Sequence, residues 1–222
     1  EDYLRILRFL RFSNKYSEAF DKFGLKECMK MKSRLNMISF DRRFSEFIKM
    51  VSSVNFEKNF KKLIETNILN YVFGLKIYTK NIEKLFKFEK TYKINDPLRR
   101  VKFFLRAKKD LSSRDFYSKL SNDDKKRFQS KLKLKDYDYE NINYQLYFHP
   151  KTLVLDQLIF DFVDGIVSKK VFNNLLDFIQ KWKKLKLPIN GNDLINMGYS
   201  NGLLIGRNIT IIEKWWLDNL CS

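Results

Sequence analysis

Helix-breaking residues are rare in this sequence, and their rarity limits the folds that it can adopt. Among 222 residues there are 7 glycines and 3 prolines, whereas apolar residues recur at three- and four-residue spacing through most of the chain. A turn-rich β-sandwich needs more glycine and proline than this. The pattern therefore predicts an all-α fold. A hydrophobic content of 44% with 21 phenylalanines is enough for one good core or two small ones, and it excludes intrinsic disorder.

The apolar periodicity predicts a series of helices. The predicted segments are 4–12, 17–34, 39–52, 55–73, 81–92, 97–109, 114–120, 151–164 and 168–185, with a short helix at 193–197 and a last helix after Gly202. In the first of them Phe12 belongs to the apolar set and is expected to be buried. Ser39 and Ser121 are expected as N-caps, and Pro97 in a first helical turn. No regular structure is assigned to 131–147, which contains four tyrosines.

Three charged side chains recur every three residues at the start of the sequence. Asp2, Arg5 and Arg8 therefore lie on one face of a helix. Asp2 is a hydrogen-bond acceptor and Arg5 a rigid fork of donors, so the pair forms a mixed edge that can read the Watson–Crick side of a nucleobase. An ordinary helical ion pair is the alternative, since an acidic residue three positions before Arg is common on helices.

A positive charge excess is spread along the whole sequence. The net charge is +18, with +5 in residues 1–50, +6 in 51–100, +5 in 101–150 and +2 in 151–222. Such a field favours a polyanionic partner, either nucleic acid or an anionic membrane surface. The alternative is a solvated surface in a protein from a lysine-rich proteome. A membrane-surface helix would concentrate its charge on one amphipathic face, so the spread favours nucleic acid.

No catalytic centre is evident among the side chains that carry chemistry. Asp136 and Asp138 have the spacing of a metal-binding pair but no glycine-rich turn nearby, and there is no phosphate-binding P-loop. His149 is the only histidine, and Cys28 and Cys221 lack metal-ligand spacing. We therefore expect no catalytic residue, metal or other cofactor in this chain. With no signal peptide and no apolar run near 18 residues, a cytoplasmic protein that does not span a membrane is expected.

Three blocks of sequence resemble the class II tRNA nucleotidyltransferase and bacterial poly(A) polymerase family. Residues 1–12, EDYLRILRFLRF, match the signature EDxLRxxRxxRF, and residues 38–47, ISFDRRFSEF, are similar to ISxERxxxEL. In the second block Asp41 stands for Glu and Phe47 for Leu. Residues 187–195, LPINGNDLI, are similar to the third pattern, which continues through Gly198 to the tryptophans near the C-terminus. The blocks follow the family's order, whereas residues 90–170 match weakly.

The resemblance implies that catalysis and base selection are carried out by different domains. In the family a catalytic head carries the Mg²⁺-binding carboxylates, and the neck that begins with the first block reads the incoming base. By resemblance, Asp2 would accept from the exocyclic amine of C or A, and Arg5 would donate to the adjacent ring nitrogen. Arg8 would support Arg5 or contact phosphate. The complete enzyme would use Mg²⁺ with ATP or CTP to add CCA or A residues to RNA 3′ ends, and this chain alone would be inactive without a head in cis or in trans.

The same resemblance implies an elongated helical array in three parts. These are a nucleotide-reading neck at 1–55, an RNA-binding body at 56–186 and a tail at 187–222 that ends in a helical hairpin. The partner would be tRNA or another RNA, held through its backbone. Candidate RNA contacts are Arg99, Arg100, Lys102, Lys181, Lys183, Lys184, Gly191, Gly202 and Arg207, with Arg106, Lys108, Lys109, Lys186 and Trp182 beside them.

Two alternatives remain open from the sequence. Gly202 and Gly206 either free the start of the last helix for a phosphate or permit tight helix packing. The whole chain is either part of a nucleotidyltransferase or a stand-alone RNA-binding module, including one derived from a split or decayed gene. CCA addition and poly(A) addition are also not separated by the sequence.

Overall fold

A computed structural model describes residues 2–73, 79–106, 120–130, 132–200 and 202–220. All regular secondary structure within these ranges is helical, which confirms the predicted all-α fold. The predicted helix at 114–120, except Leu120, and the basic pair Lys108 and Lys109 lie outside the described residues. The chain divides into two compact units, residues 1–130 and 131–222. The three-part division at 55/56 and 186/187 stays a prediction.

Unit 1 contains eight α-helices and one 3₁₀-helix within the described residues. They are α1 (Leu4–Tyr16), α2 (Lys22–Met31), a 3₁₀-helix (Lys32–Met37), α3 (Phe40–Val51), α4 (Phe56–Glu65), α5 (Ile68–Phe73), α6 (Ile82–Tyr92), α7 (Pro97–Leu105) and α8 (Asn122–Gln129). Helix α3 packs against α1, α5 and α7. It is therefore the element around which this unit is organised.

The core of unit 1 is an aromatic cluster. The Phe47 ring is fully buried and lies 4.8 Å from Phe73, 6.4 Å from Phe56 and 6.3 Å from Phe104, measured between centroids. Phe60 and Phe104 stack at 5.4 Å. These contacts join α3, α4, α5 and α7. Phenylalanines from four helices thus form the core of unit 1. Edge-to-face contacts between their rings stabilise this core beyond the burial of apolar area alone.

Local chemistry explains several helix boundaries in unit 1. Asp96 caps α7 by accepting a hydrogen bond from Arg99 N at 3.1 Å, and Pro97 occupies the first turn as predicted. Ser121 caps α8 by accepting from Asp124 N at 3.1 Å. The predicted helix 55–73 is instead two helices. Asn67 between them has φ 55°, a left-handed conformation that ends an α-helix.

Unit 2 contains five α-helices within the described residues. They are α9 (Tyr139–Phe148), α10 (Lys151–Val163), α11 (Lys169–Lys181), α12 (Gly191–Asn196) and α13 (Gly202–Leu220). Helices α9, α10 and α11 pack on one another, and α12 packs on α13, which gives the predicted pairing of the last two helices. The unassigned stretch 131–147 contains the start of α9. Its signal is Asp138, whose carboxylate caps the helix by accepting from Asn141 N at 2.7 Å.

Candidate nucleic-acid interface

Asp2 lies at the start of α1 and has two arginine neighbours. Its Oδ1 accepts a hydrogen bond from the backbone N–H of Leu4, the first residue of α1, at 3.2 Å. The same carboxylate lies 3.8 Å from Arg8 Nη1 and 3.5 Å from Arg42 Nη2. All three side chains are about half exposed. The acceptor that the sequence singled out is therefore fixed in direction but open to solvent.

Arg5 is exposed one turn further along α1. Its backbone N–H donates to Asp2 O at 3.0 Å, which starts the helix, whereas its guanidinium makes no ion pair with another described residue. Asp2 pairs with Arg8 and Arg42 rather than with Arg5. No Asp2–Arg5 ion pair forms in the part of the chain described here, but the Asp2–Arg8 pair is an ion pair along one helix, so the alternative to base reading stays open for Asp2. The Arg5 donors therefore remain available to a ligand.

Arg42 is the site residue that sequence reasoning missed. It lies in the first turn of α3, within the second sequence block, and it reaches the carboxylate at the start of the first block. A second bridge joins the same blocks deeper in the unit, where Arg11 Nε lies 3.1 Å from the buried carboxylate of Glu46. Residues 13–37 separate the two blocks in the sequence, and the packing of α1 on α3 brings them together. The DRR run in the second block was the available signal.

The basic residues on α7 that the sequence predicts as an RNA-binding surface lie in the interior of unit 1. Arg99, Arg100 and Lys102 are all buried, with at most 9% of each residue exposed. Arg100 Nε donates to Glu89 Oε2 at 2.7 Å and its Nη1 to Val51 O at 2.5 Å. Because these side chains hold the interior of unit 1 together, phosphate contact would require them to leave their partners. We therefore leave them out of the proposed interface.

Burial changes the pKa of Glu89, the carboxylate that pairs with Arg100. Glu89 is 5% exposed, and removal from water raises its pKa to about 6 although the Arg100 guanidinium opposes the shift. Asp96 shows the opposite balance. Burial alone would raise its pKa, but its carboxylate accepts from Arg127 Nη2 at 2.6 Å, and Arg127 and Arg99 together lower the pKa below its usual value. These carboxylates pair with the buried arginines, so part of the positive charge of α7 is compensated within the fold.

The second predicted basic surface, in unit 2, is exposed. Lys181, Lys183 and Lys184 lie at the end of α11 and in the segment after it, and all three are solvent-accessible. Lys181 pairs with Asp177 one turn earlier at 2.7 Å, and Lys184 Nζ lies 5.7 Å from the centre of the Tyr147 ring. The Trp182 indole donates to Asn143 Oδ1 at 2.7 Å. This hydrogen bond fixes the ring within unit 2, so the ring is not placed solely for stacking on a base. Lys183 and Lys184 therefore remain accessible to phosphate.

The glycines of the third block divide into two kinds. A Cβ on Gly191 would lie 3.6 Å from Ile205 and 3.8 Å from Ile209, so this glycine sits at the contact between α12 and α13. A Cβ on Gly202 or Gly206 would meet nothing within 4 Å, so the packing alternative is not supported for these two. Arg207 is exposed on α13, one residue after Gly206. The start of α13 thus keeps open backbone beside a cation.

The Asp-x-Asp motif lines an acidic cavity of about 310 Å³ in unit 2. Its lining residues are Asp136, Asp138, Glu140, Asn141, Asn143, Tyr144, Leu217 and Asp218. Four carboxyl groups repel phosphate, so this cavity is unsuited to an RNA backbone. Across the described ranges, no group of three or more His, Cys, Asp or Glu side chains is arranged to hold a metal ion.

One part of the chain is similar to a known protein family. Residues 25–76 match the family model described as the probable RNA and SrmB-binding site of polymerase A. The match starts within α2 and passes through the 3₁₀-helix, α3, α4 and α5, and so includes the helix that packs on α1. No curated protein matches the chain. Within the described residues, no helix is both long and apolar enough to cross a membrane.

The match supports a poly(A) polymerase-like family, with RNA as the partner of this part of the chain. It covers the second of the three sequence blocks and lies entirely within unit 1. The site at Asp2 is joined to it through Arg42 and Glu46.

Proposed function

We propose that this chain is the base-selecting and RNA-holding part of a template-independent nucleotidyltransferase that extends RNA 3′ ends. Asp2 accepts from the exocyclic amine of the incoming nucleotide, and Arg5 donates to its adjacent ring atom. Arg8 and Arg42 hold the Asp2 carboxylate in place or contact the triphosphate. The metal-bound head that would supply Mg²⁺ chemistry on ATP or CTP is contributed from outside these residues, in cis or in trans, in a cytoplasmic enzyme.

The single observation that carries this proposal is the junction of the two sequence blocks at Asp2. The Asp2 carboxylate, held between Arg8 and Arg42, presents the acceptor oxygens that base reading requires. The exposed guanidinium of Arg5 provides the donors on the same face of α1. CTP and ATP present an amine donor beside a ring-nitrogen acceptor, whereas UTP and GTP present the reverse order. An Asp–Arg edge therefore favours CTP and ATP.

The charge distribution supports RNA binding chiefly by unit 1. Residues 1–130 contain 32 basic and 16 acidic side chains, whereas residues 131–222 contain 12 and 10. Most of the net charge of +18 thus belongs to the unit that contains the family match. The exposed cations Lys183, Lys184 and Arg207 give unit 2 a smaller, local share in holding the RNA.

Loss of the Asp2–Arg5 edge is expected to relax nucleotide choice. In an enzyme reassembled with a separately produced head of the same family, Asp2→Ala and Arg5→Ala should lower the preference of CTP and ATP over UTP and GTP by about tenfold or more, since each bidentate base contact contributes about 1–3 kcal/mol. Incorporation of each labelled nucleotide into tRNA measures this preference. Whether the wild type uses CTP separates CCA addition from poly(A) addition.

The matched control for that experiment is Lys84→Ala, which removes an exposed charge from α6 outside the family match. It should leave the nucleotide preference unchanged. Unaltered selectivity in both Asp2→Ala and Arg5→Ala would refute the base-reading role.

A stand-alone RNA-binding module is the second candidate, since the part of the chain that matches a known family matches an RNA-binding segment. Both candidates predict that affinity for tRNA falls steeply with salt, with a slope of log K against log salt set by the number of phosphates contacted. Titration from about 50 to 200 mM salt measures this slope. Salt-independent binding would contradict both candidates. If binding is salt-dependent, nucleotide incorporation by the reassembled enzyme distinguishes the polymerase part from the stand-alone module.

A further inference from the structure

Two aromatic rings lie exposed on α1, on the helix that begins at Asp2. Phe12, which the apolar pattern predicted as a core residue, is 47% exposed, and Tyr16 is 70% exposed. The rings stack on each other with 6.1 Å between centroids and 14° between planes. The prediction of a buried Phe12 was wrong, because Leu4, Ile6, Leu7 and Leu10 fill the buried face of α1 and Phe12 lies on the opposite side.

Cations flank both rings. The Arg11 guanidinium carbon lies 4.5 Å from the centre of Phe12, and Lys15 Nζ lies 5.0 Å from the centre of Tyr16. Arg11 is paired with the buried Glu46, so Lys15 is the exposed cation beside the rings. Two stacked rings beside this charge form a surface suited to nucleobases and their phosphates. Stacking is available to any base, and the Lys15 ammonium attracts the backbone.

The rings continue the exposed stripe that starts with the proposed base reader. Arg5, Arg8, Phe12 and Tyr16 are spaced by three, four and four residues and are all exposed, so they lie along one face of α1. At 1.5 Å per residue the stripe from Arg5 to Tyr16 is about 16 Å long. That length accommodates roughly four or five stacked nucleotides at 3.4 Å each.

We infer that Phe12 and Tyr16 form a stacking platform for unpaired nucleotides of a single-stranded RNA, next to the base-reading residues. The inference rests on the proposed RNA-binding function and specifies which part of the RNA α1 would contact. RNA is favoured as the occupant because the exposed cations Arg5, Arg8 and Lys15 lie along the same helix and because α1 packs on α3 within the segment that matches an RNA-binding model. The platform itself, at 12–16, lies outside that segment.

A short single-stranded RNA with 2-aminopurine at its 3′ end tests this platform, since stacking quenches the fluorescence of that base. The full chain is expected to bind the RNA with quenching. The double variant F12A/Y16A should bind at least tenfold more weakly and lose the quenching, as loss of stacking on one base costs about 1–3 kcal/mol. F12L/Y16L keeps apolar bulk without a π-face and should show the same loss, whereas Y16F should behave as wild type.

The matched control is F23A. Phe23 is 77% exposed on α2 and has no ring or cation partner among the described residues, so its removal should leave binding and quenching unchanged. Binding of a blunt RNA duplex should be the same for all variants, because its bases are not free to stack. Thermal unfolding followed by circular dichroism should show that each variant folds, since the replaced rings are exposed.

The outcomes of this experiment separate failure of the stacking platform from failure of the proposed RNA-binding function. If F12A/Y16A binds and quenches like F23A while wild type shows salt-dependent binding, the platform is refuted and the proposed RNA-binding function stands. If F12A/Y16A weakens duplex and single strand equally, the rings do not stack on bases and the inference is again overturned. If wild type binds neither RNA, the proposed function fails, and this inference fails with it.

Discussion

Replacing Arg100 with alanine is expected to destabilise unit 1 by about 3 to 5 kcal/mol, because the change leaves a buried carboxylate without its counter-ion. Arg100 is 7% exposed and donates both to Glu89 and to the backbone oxygen of Val51, so it ties α7 to α6 and to the end of α3. Its guanidinium also lies 5.4 Å from the Phe86 ring. Chemical denaturation followed by far-UV circular dichroism measures the loss.

The double variant R100M/E89L is the informative companion to R100A. Replacing both partners by apolar groups removes the unpaired charge, so most of the lost free energy of unfolding should return. Arg5→Ala, which removes an exposed arginine, should change stability by less than about 0.5 kcal/mol. If R100A is as stable as wild type and instead lowers RNA affinity, then Arg100 acts at a surface, as its place in a run of basic residues predicts.

Replacing Phe47 with alanine is expected to have a similarly large effect, about 3 to 5 kcal/mol. The Phe47 ring is fully buried and contacts Phe56, Phe73 and Phe104, which come from three other helices. Its removal leaves a cavity at the centre of the aromatic core, and the surrounding rings are held by one another and relax only partly. The same denaturation experiment reports the loss.

Phe47→Leu is the matched control, since leucine is the residue of the resembling pattern at this position. It should cost about 1 to 2 kcal/mol, because leucine keeps most of the apolar volume but loses the ring contacts. The three tryptophans all lie in residues 131–222, so their fluorescence reports on unit 2 alone. An F47A chain that unfolds at the wild-type denaturant concentration would show that this cluster is not the core of unit 1.

Local sequence signals predicted the elements of this fold well. Asp96 with Pro97 and Ser121 mark helix starts through side chains that bond to their own neighbours, so no tertiary contact is needed to read them. The break at Asn67 was missed because apolar spacing of three to four residues continues across it. The helix start at Asp138 was missed because tyrosines on both sides obscured the capping residue.

The candidate site was only partly predictable. The spacing of Asp2, Arg5 and Arg8 placed them on one helix face, which depends on helix geometry alone. The partnership of Asp2 with Arg42 depends on how α1 packs against α3, and no local pattern contains that information. Burial divided the basic residues in the same way. Arg100 and Lys183 are both cations among aromatics in sequence, yet one is in the core and the other at the surface.

The sequence by itself determined the helical class, most helix starts and the charged face that opens α1, because these follow from backbone geometry and from contacts within a few residues. Only the tertiary structure decided which cations face a ligand and which neutralise buried carboxylates. It also left Phe12 at the surface beside Tyr16, although its spacing is that of a core residue. The physical reason is that burial is a property of packed helices, in which side chains distant in sequence compete for the same interior space.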